Sequence, residues 1–224
     1  CCFMNSRHNM IINILYKHME GKLMDKGKKF LMVVGGPGGS GASTISEMLA
    51  NHFGLKRVYA GSLFRKIIKE KGYEDFESFF KKGNEDELMK IDEEVDRKLI
   101  DMINSENNLL IESKIFSAIA SIKNIPCTAK IWIDASLHRR ALRHLENENI
   151  KGCFKKFFRY FKIRRDLRKR WRIDSFRYKK LYGVDYSKPN VYYDIVVDSS
   201  RLNEEETVDL ILKRLRDGRY IEKE

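Results

Sequence analysis

The sequence predicts an α/β fold in which an open parallel sheet is covered by helices on both faces. Three observations carry that expectation. Short apolar runs alternate with helical patterns, beginning with Phe30-Leu31-Met32-Val33-Val34, and strands buried on both faces read as continuous runs of this kind. The first run leads directly into Gly36-Pro37-Gly38-Gly39-Ser40-Gly41-Ala42-Ser43-Thr44 and then into a helical pattern ending at Phe53. Strand, glycine turn and helix in that order form a phosphate-binding loop, whose backbone N–H groups curl around phosphate oxygens at the positive end of the helix dipole. Finally, 224 residues that are 42% hydrophobic and 34% charged suffice for one sizeable domain with a buried core and a charged surface.

The loop pattern expected is G-x-x-x-x-G-K-[ST]. Gly36, Gly41 and Ser43 meet it, and Ala42 stands where the lysine belongs. Gly36, Gly38, Gly39, Ser40, Gly41, Ala42, Ser43 and Thr44 are therefore the candidate donor-phosphate residues, with the loop's cation missing.

In chain order, residues 1–28 read as an N-terminal extension, disordered or artefactual, that contains Met4, Met10 and Met24. The domain is expected over 29–218. Phe30–Val34 is the first strand, Thr44–Phe53 the first helix, and Gly54 its stop. Lys56–Tyr59 reads as a second strand, with Ser62 as N-cap of a helix from Leu63. Arg65 then projects from a first turn at the sheet edge where α/β folds bind ligands. Phe76, Phe79 and Phe80 at helical spacing read as core. Glu85–Asn104 is an amphipathic helix with Leu88, Ile91, Val95, Leu99 and Ile103 inward, and its charges, Asp92 and Asp96 among them, are expected in solvent.

Leu109–Ile111 is a strand ending at Glu112-Ser113-Lys114, which places a carboxylate beside the phosphate loop, where an acid that organises Mg²⁺ is expected. Lys130–Asp134 and Asp194–Val197 are the remaining strands. Helices follow them over His138–Glu146, with Arg139, Arg140 and Arg143, and over Glu204–Arg216, capped by Gly218. Cys1, Cys2, Cys127 and Cys153 lack metal-ligand spacing and read as structural or incidental thiols. No apolar run is long enough to span a bilayer, and a cytoplasmic protein is expected.

The formal charge of +12 is local. Between Lys151 and Tyr182 stand 14 Lys or Arg against two acids, Asp166 and Asp174, and the rest of the chain balances to zero. Arg170, Asp174 and Arg177 fall at i, i+4 and i+7 on one helix face, so Asp174 can hold both guanidiniums by pairing with each. Three readings of this segment stand level on its own sequence. It can be a mobile lid that brings charge to a transferred phosphoryl group. It can be a nucleic-acid surface, because Phe154, Phe157, Phe158, Tyr160, Phe161 and Trp171 interleave with the bases. It can also be a solvated helix with an aromatic inner face. Insertion into a phosphate-loop domain favours the lid.

From about Lys29 to Arg216 the chain resembles the nucleoside monophosphate kinases, most of all the archaeal-type cytidylate kinases. The resemblance rests on the glycine loop Gly35–Thr44, Val58-Tyr59-Ala60-Gly61-Ser62-Leu63-Phe64-Arg65, Ile91–Arg97, Leu109–Lys114 and Lys130–Ala135. It continues in Arg177-Tyr178 through Leu181-Tyr182-Gly183-Val184-Asp185 and in Tyr193-Asp194-Ile195-Val196-Val197-Asp198-Ser199-Ser200. It implies a P-loop NTPase-like parallel sheet of about five strands, with a helical part near 60–105 that binds the monophosphate and an arginine-rich lid near 145–177. It further implies transfer of the ATP γ-phosphoryl group, with Mg²⁺, to a nucleoside monophosphate, CMP or dCMP foremost and AMP or UMP as alternatives, by a monomer with no membrane attachment. By position, Gly61, Arg65 and Lys114 would hold the acceptor, Ser43 and Glu112 (directly or through water) the metal, and Arg170, Asp174 and Arg177 would form the catalytic lid constellation. A phosphate-loop protein that binds nucleotide or RNA without transfer is the rival reading, prompted by Ala42 and by Lys114, which stands where the family carries Arg.

Overall fold

The computed structural model describes residues 29–74, 78–79, 85–148 and 150–222. The extension expected over 1–28 lies outside the described residues, as do Phe76 and Phe80. In chain order the elements are β1 (Phe30–Gly35), α1 (Ala42–His52), β2 (Lys56–Tyr59), α2 (Ala60–Glu70), α3 (Glu85–Ser105), β3 (Asn108–Glu112) and α4 (Phe116–Ile122). They continue with β4 (Ala129–Asp134), α5 (Leu137–Glu146), α6 (Cys153–Tyr182), a 3-10 turn at Pro189–Val191, β5 (Ile195–Asp198) and α7 (Glu204–Asp217). The five strands form one sheet in the order β2-β3-β1-β4-β5, and every pairing is parallel.

Alternation along β1 divides the core between the two faces. Leu31 and Val33 join Leu109, Ile111 and Trp132 under α2, α3 and α4. Met32 and Val34 join Leu110, Ile131 and Ile133 under α1 and α7, which contribute Ile45, Leu49, Ile211 and Leu215. Each such side chain stabilises the fold by about 1.5–3 kcal/mol relative to exposure. A smaller cluster of Ala141, Ile163 and Leu167 fastens α6 onto α5.

Helix ends show where local chemistry was read well and where it was not. Asn203 and Glu206 form a capping box on α7, and Gly54 takes the left-handed conformation after α1 (φ +61°). Ser62, however, is not an N-cap. Strand β2 runs straight into α2 with Tyr59 as the cap residue, and the Ser62 hydroxyl donates back to the Tyr59 carbonyl at 2.7 Å. On α3, Asp92 and Asp96 are buried rather than solvated, because α6 lies across them. Arg177 pairs with Asp92 at 3.3 Å and the Tyr182 hydroxyl donates to Asp96. Of the three readings of the basic insert, the one with an aromatic inner face does not hold at its start, where Phe154, Phe157 and Phe158 are exposed.

Candidate active site

The loop between β1 and α1 opens on a cavity of about 390 Å³ at the strand ends. Gly36, Gly38, Gly39, Ser40, Gly41, Ala42, Ser43 and Thr44 all line it, together with Tyr59, Glu112 and Lys114. Two glycines are required by backbone geometry. Gly39 (φ +83°) and Gly41 (φ +93°) occupy the left-handed region, and a Cβ on Gly39 would stand 2.9 Å from His144 Cδ2. Gly41 is also the N-cap residue of α1, and no side chain caps the helix there. The first amides of α1 are thus left to an anion.

Helix α5 fixes the loop from behind. Arg140 Nε donates to the Gly38 carbonyl at 2.7 Å. Arg143 Nη1 donates to the Ser40 carbonyl at 2.7 Å, and its Nη2 to the Ser199 carbonyl at 2.9 Å. The Ser199 hydroxyl donates to the same Ser40 carbonyl at 2.9 Å, so β5 is joined to the loop as well. Burial lowers the pKa of both arginines, and His144 beside them is lowered by burial and by the Arg140 charge. Arg140, Arg143 and His144 escaped the sequence reading as site residues. The available signal was three arginines on a helix that starts at a strand's carboxyl end, but nothing in the chain marks their acceptors as loop carbonyls.

Ser43 and Glu112 meet as expected. The Ser43 hydroxyl donates to Glu112 Oε1 at 2.5 Å, and Arg57 Nη2 and Nε donate to Oε2 at 2.5 and 3.1 Å. The Ser43 hydroxyl at the start of α1 and the Glu112 carboxylate at the end of β3 are hard oxygen donors. They suit Mg²⁺, which takes one or two protein oxygens and completes its shell with phosphate and water. No cluster of three or more His, Cys, Asp or Glu residues suited to a metal occurs among the described residues.

Lys114 joins Asp174 and Arg177 at the inner face of α6. Asp174 is buried and accepts from Lys114 Nζ at 2.5 Å and from Arg177 Nη2 at 3.4 Å. Lys114, just past the end of β3, reaches Asp174 on the inner face of α6 alongside Arg177. Arg177 continues the chain to Asp92 of α3 and lies over the Tyr178 ring at 4.8 Å. Burial lowers the Lys114 pKa against the opposing pull of Asp174, and burial raises Asp92 to about 6. Arg177 is held above its ordinary value. Burial works against it, but Tyr178, Asp92 and Asp174 outweigh that. Its Nη1 is buried without a hydrogen-bond partner among the described residues.

Gly61 and Arg65 stand one step from the cavity. Arg65 lies over the Tyr59 ring at 5.0 Å, and a Cβ on Gly61 would come within 2.7 Å of the Tyr59 hydroxyl. Gly61 therefore makes room for the Tyr59 ring, which itself lines the cavity.

Residues 34–146 match the AAA domain family. The cytidylate kinase of Methanopyrus kandleri is 34% identical over 187 residues, covering 81% of this chain and 90% of the relative. That of Pyrococcus horikoshii is 35% identical over 181 residues, covering 79% and 83%. That of Methanosarcina acetivorans is 30% identical over 182 residues, covering 80% and 93%. Among solved structures, an uncharacterized protein from Eubacterium ventriosum aligns with a TM-score of 0.61 at 14% identity, covering 84% of this chain and 98% of its own. A shikimate kinase from Acinetobacter baumannii aligns with a TM-score of 0.55 at 12% identity, covering 91% and 98%. At such identities the structures speak for the fold alone. The sequence relatives, matched over most of their own length, decide the family: this chain belongs to the cytidylate kinases, nucleoside monophosphate kinases built on a phosphate-loop sheet.

Proposed function

We propose that this chain transfers the γ-phosphoryl group of ATP to CMP or dCMP, giving CDP or dCDP and ADP. The observation that carries this reading is the cavity shared by the phosphate loop and Lys114, whose ammonium is tied to Asp174 and, through it, to Arg177. A donor-phosphate cradle and a cationic acceptor side thus face one space.

An oxygen of the CMP phosphate attacks the γ-phosphorus as the bond from that phosphorus to the β-phosphate oxygen breaks, with no covalent intermediate on the protein. Little is asked of the chain beyond positioning and charge. The α1 amides and loop backbone hold the donor phosphates. Lys114, Arg65 and the Arg177 Nη1 donor meet the acceptor phosphate. Arg170 and Arg177 supply the charge that Ala42 withholds, with Asp174 orienting Arg177. Ser43 and Glu112 would hold Mg²⁺, which when bound neutralises charge on the phosphate oxygens. In this reading residues 60–105 form the acceptor-binding part and 145–177 the lid of a 29–218 domain. No helix among the described residues is long and apolar enough to cross a membrane. A cytoplasmic monomer, placed where its nucleotides are, completes the proposal.

Phosphorus NMR of the protein with ATP, Mg²⁺ and CMP tests it. The β-phosphate signals of ADP and CDP are expected to grow in equal amounts. ADP and free phosphate without CDP would overturn it.

A further inference from the structure

Helix α6 presents a second face that phosphoryl transfer does not use. Its inward residues, Ile163, Leu167, Asp174 and Tyr178, are buried. On the opposite side Phe154, Phe157, Phe158 and Phe161 recur at i, i+3, i+4 and i+7, and exposures of 82%, 57%, 70% and 49% place all four rings in solvent. The same outward stripe continues through Arg165, Arg168 and Arg172 to Phe176, which is 63% exposed. From Phe154 to Phe176 it runs about 33 Å at 1.5 Å per residue. Phe157 packs edge-to-face with Phe158 and Phe161, with centroids 5.8 and 4.9 Å apart, so the rings form one surface cluster and none of them belongs to the core. Exposed aromatic patches on this scale mark binding surfaces.

We propose that this face binds single-stranded RNA, with bases stacking on the phenylalanine rings and guanidiniums tracking the phosphates. Charge decides the occupant. Helix α6 carries 13 Lys or Arg against two acids, so a second copy of the chain would be repelled and an anionic partner drawn in. A helix lying in a lipid surface needs an apolar sector along its length with bases at the flanks. Here Arg165, Arg168 and Arg172 interrupt that sector. Rings and guanidiniums alternating along one track suit a strand of nucleotides, and a duplex would keep its bases from the rings. Unpaired strands with accessible bases are the usual form in which RNA is read. The proposal does not rest on the kinase reading, and the stripe points away from the buried side of α6 that holds Asp174.

Fluorescence anisotropy of the whole protein with a labelled oligouridylate of about 12 nucleotides, within the usual range of site sizes, tests it. Binding is expected to weaken at least tenfold between about 50 and 200 mM salt. The triple variant Phe154→Ala, Phe157→Ala, Phe158→Ala is expected to bind about tenfold or more weakly with its thermal unfolding unchanged. The variant Arg165→Gln, Arg168→Gln, Arg172→Gln is expected to lower the slope of log affinity against log salt by about two. The proposal is overturned by absence of binding at the lower salt. It is equally overturned by affinity indifferent to the ring substitutions, which would mean charge alone, or by ring-dependent attachment to phosphatidylserine vesicles in place of RNA.

Discussion

Ala42 removes the loop's cation, and the half-buried Lys114 lines the same cavity. Lys114→Ala is expected to cost about 2–4 kcal/mol in kcat/KM for CMP, as loss of one preorganised donor does, and Lys114→Arg to restore most of it. A kcat/KM for Lys114→Ala equal to that of the parent would show that the ammonium has no part in the reaction. Arg170 and Arg177 separate by burial. Arg170 is exposed, so Arg170→Ala is expected to lower kcat/KM by about 2–4 kcal/mol with an unchanged Tm. Arg177→Ala strands the buried Asp92 and is expected to destabilise the fold by about 3–5 kcal/mol as well; thermal unfolding and kinetics on both variants check this. At this scale the loop glycines, Ser43 and Glu112 were marked by local spacing and Lys114 by resemblance alone, and all of them line the same cavity. The contact of Lys114 with Asp174 was not legible, because the two lie 60 positions apart and only the sheet topology brings them together.

Helices α3 and α6 meet through groups whose ionisation the fold opposes. Burial raises Asp96 from 3.8 to about 7, with Asp92 and Glu93 adding to the effect against the Tyr182 bond. Between those values the folded chain holds a proton that the unfolded chain has lost, so stability falls as pH rises through the window and levels off above about 7. Asp96→Asn stays neutral and still accepts from Tyr182. It is expected to be more stable than the parent above that range, by about 2 kcal/mol or roughly 4–8 °C in Tm, and the gain should shrink toward pH 4. Melting curves across the range decide it, and a variant less stable at every pH would contradict it. The spacing of Leu88, Ile91, Val95, Leu99 and Ile103 gave the inner face of α3 correctly. The burial of Asp92 and Asp96 was hidden because periodicity within one helix does not say what crosses its polar face.

For the whole molecule, the alternation of apolar runs and helical patterns sufficed for a parallel sheet, and the five strands form near the expected positions. Strand order was beyond local pattern, since β1 lies between β3 and β4 and only long-range packing sets that. Helix α4 was missed because seven residues, all but two of them buried, carry no amphipathic period. The order of strands brings β1, β3 and β4 side by side, so that the phosphate loop, Glu112-Ser113-Lys114 and the arginines of α5 crowd one edge. Arg143→Ala loosens that edge, and a rise of about tenfold in the KM for ATP is expected, the effect of losing a charge-assisted hydrogen bond; an unchanged KM would remove α5 from the site. Steady-state transfer from ATP with Mg²⁺ to CMP, dCMP, UMP and AMP in parallel is the most direct test of the assignment. The highest kcat/KM is expected with CMP or dCMP, and no transfer to any of the four would contradict it.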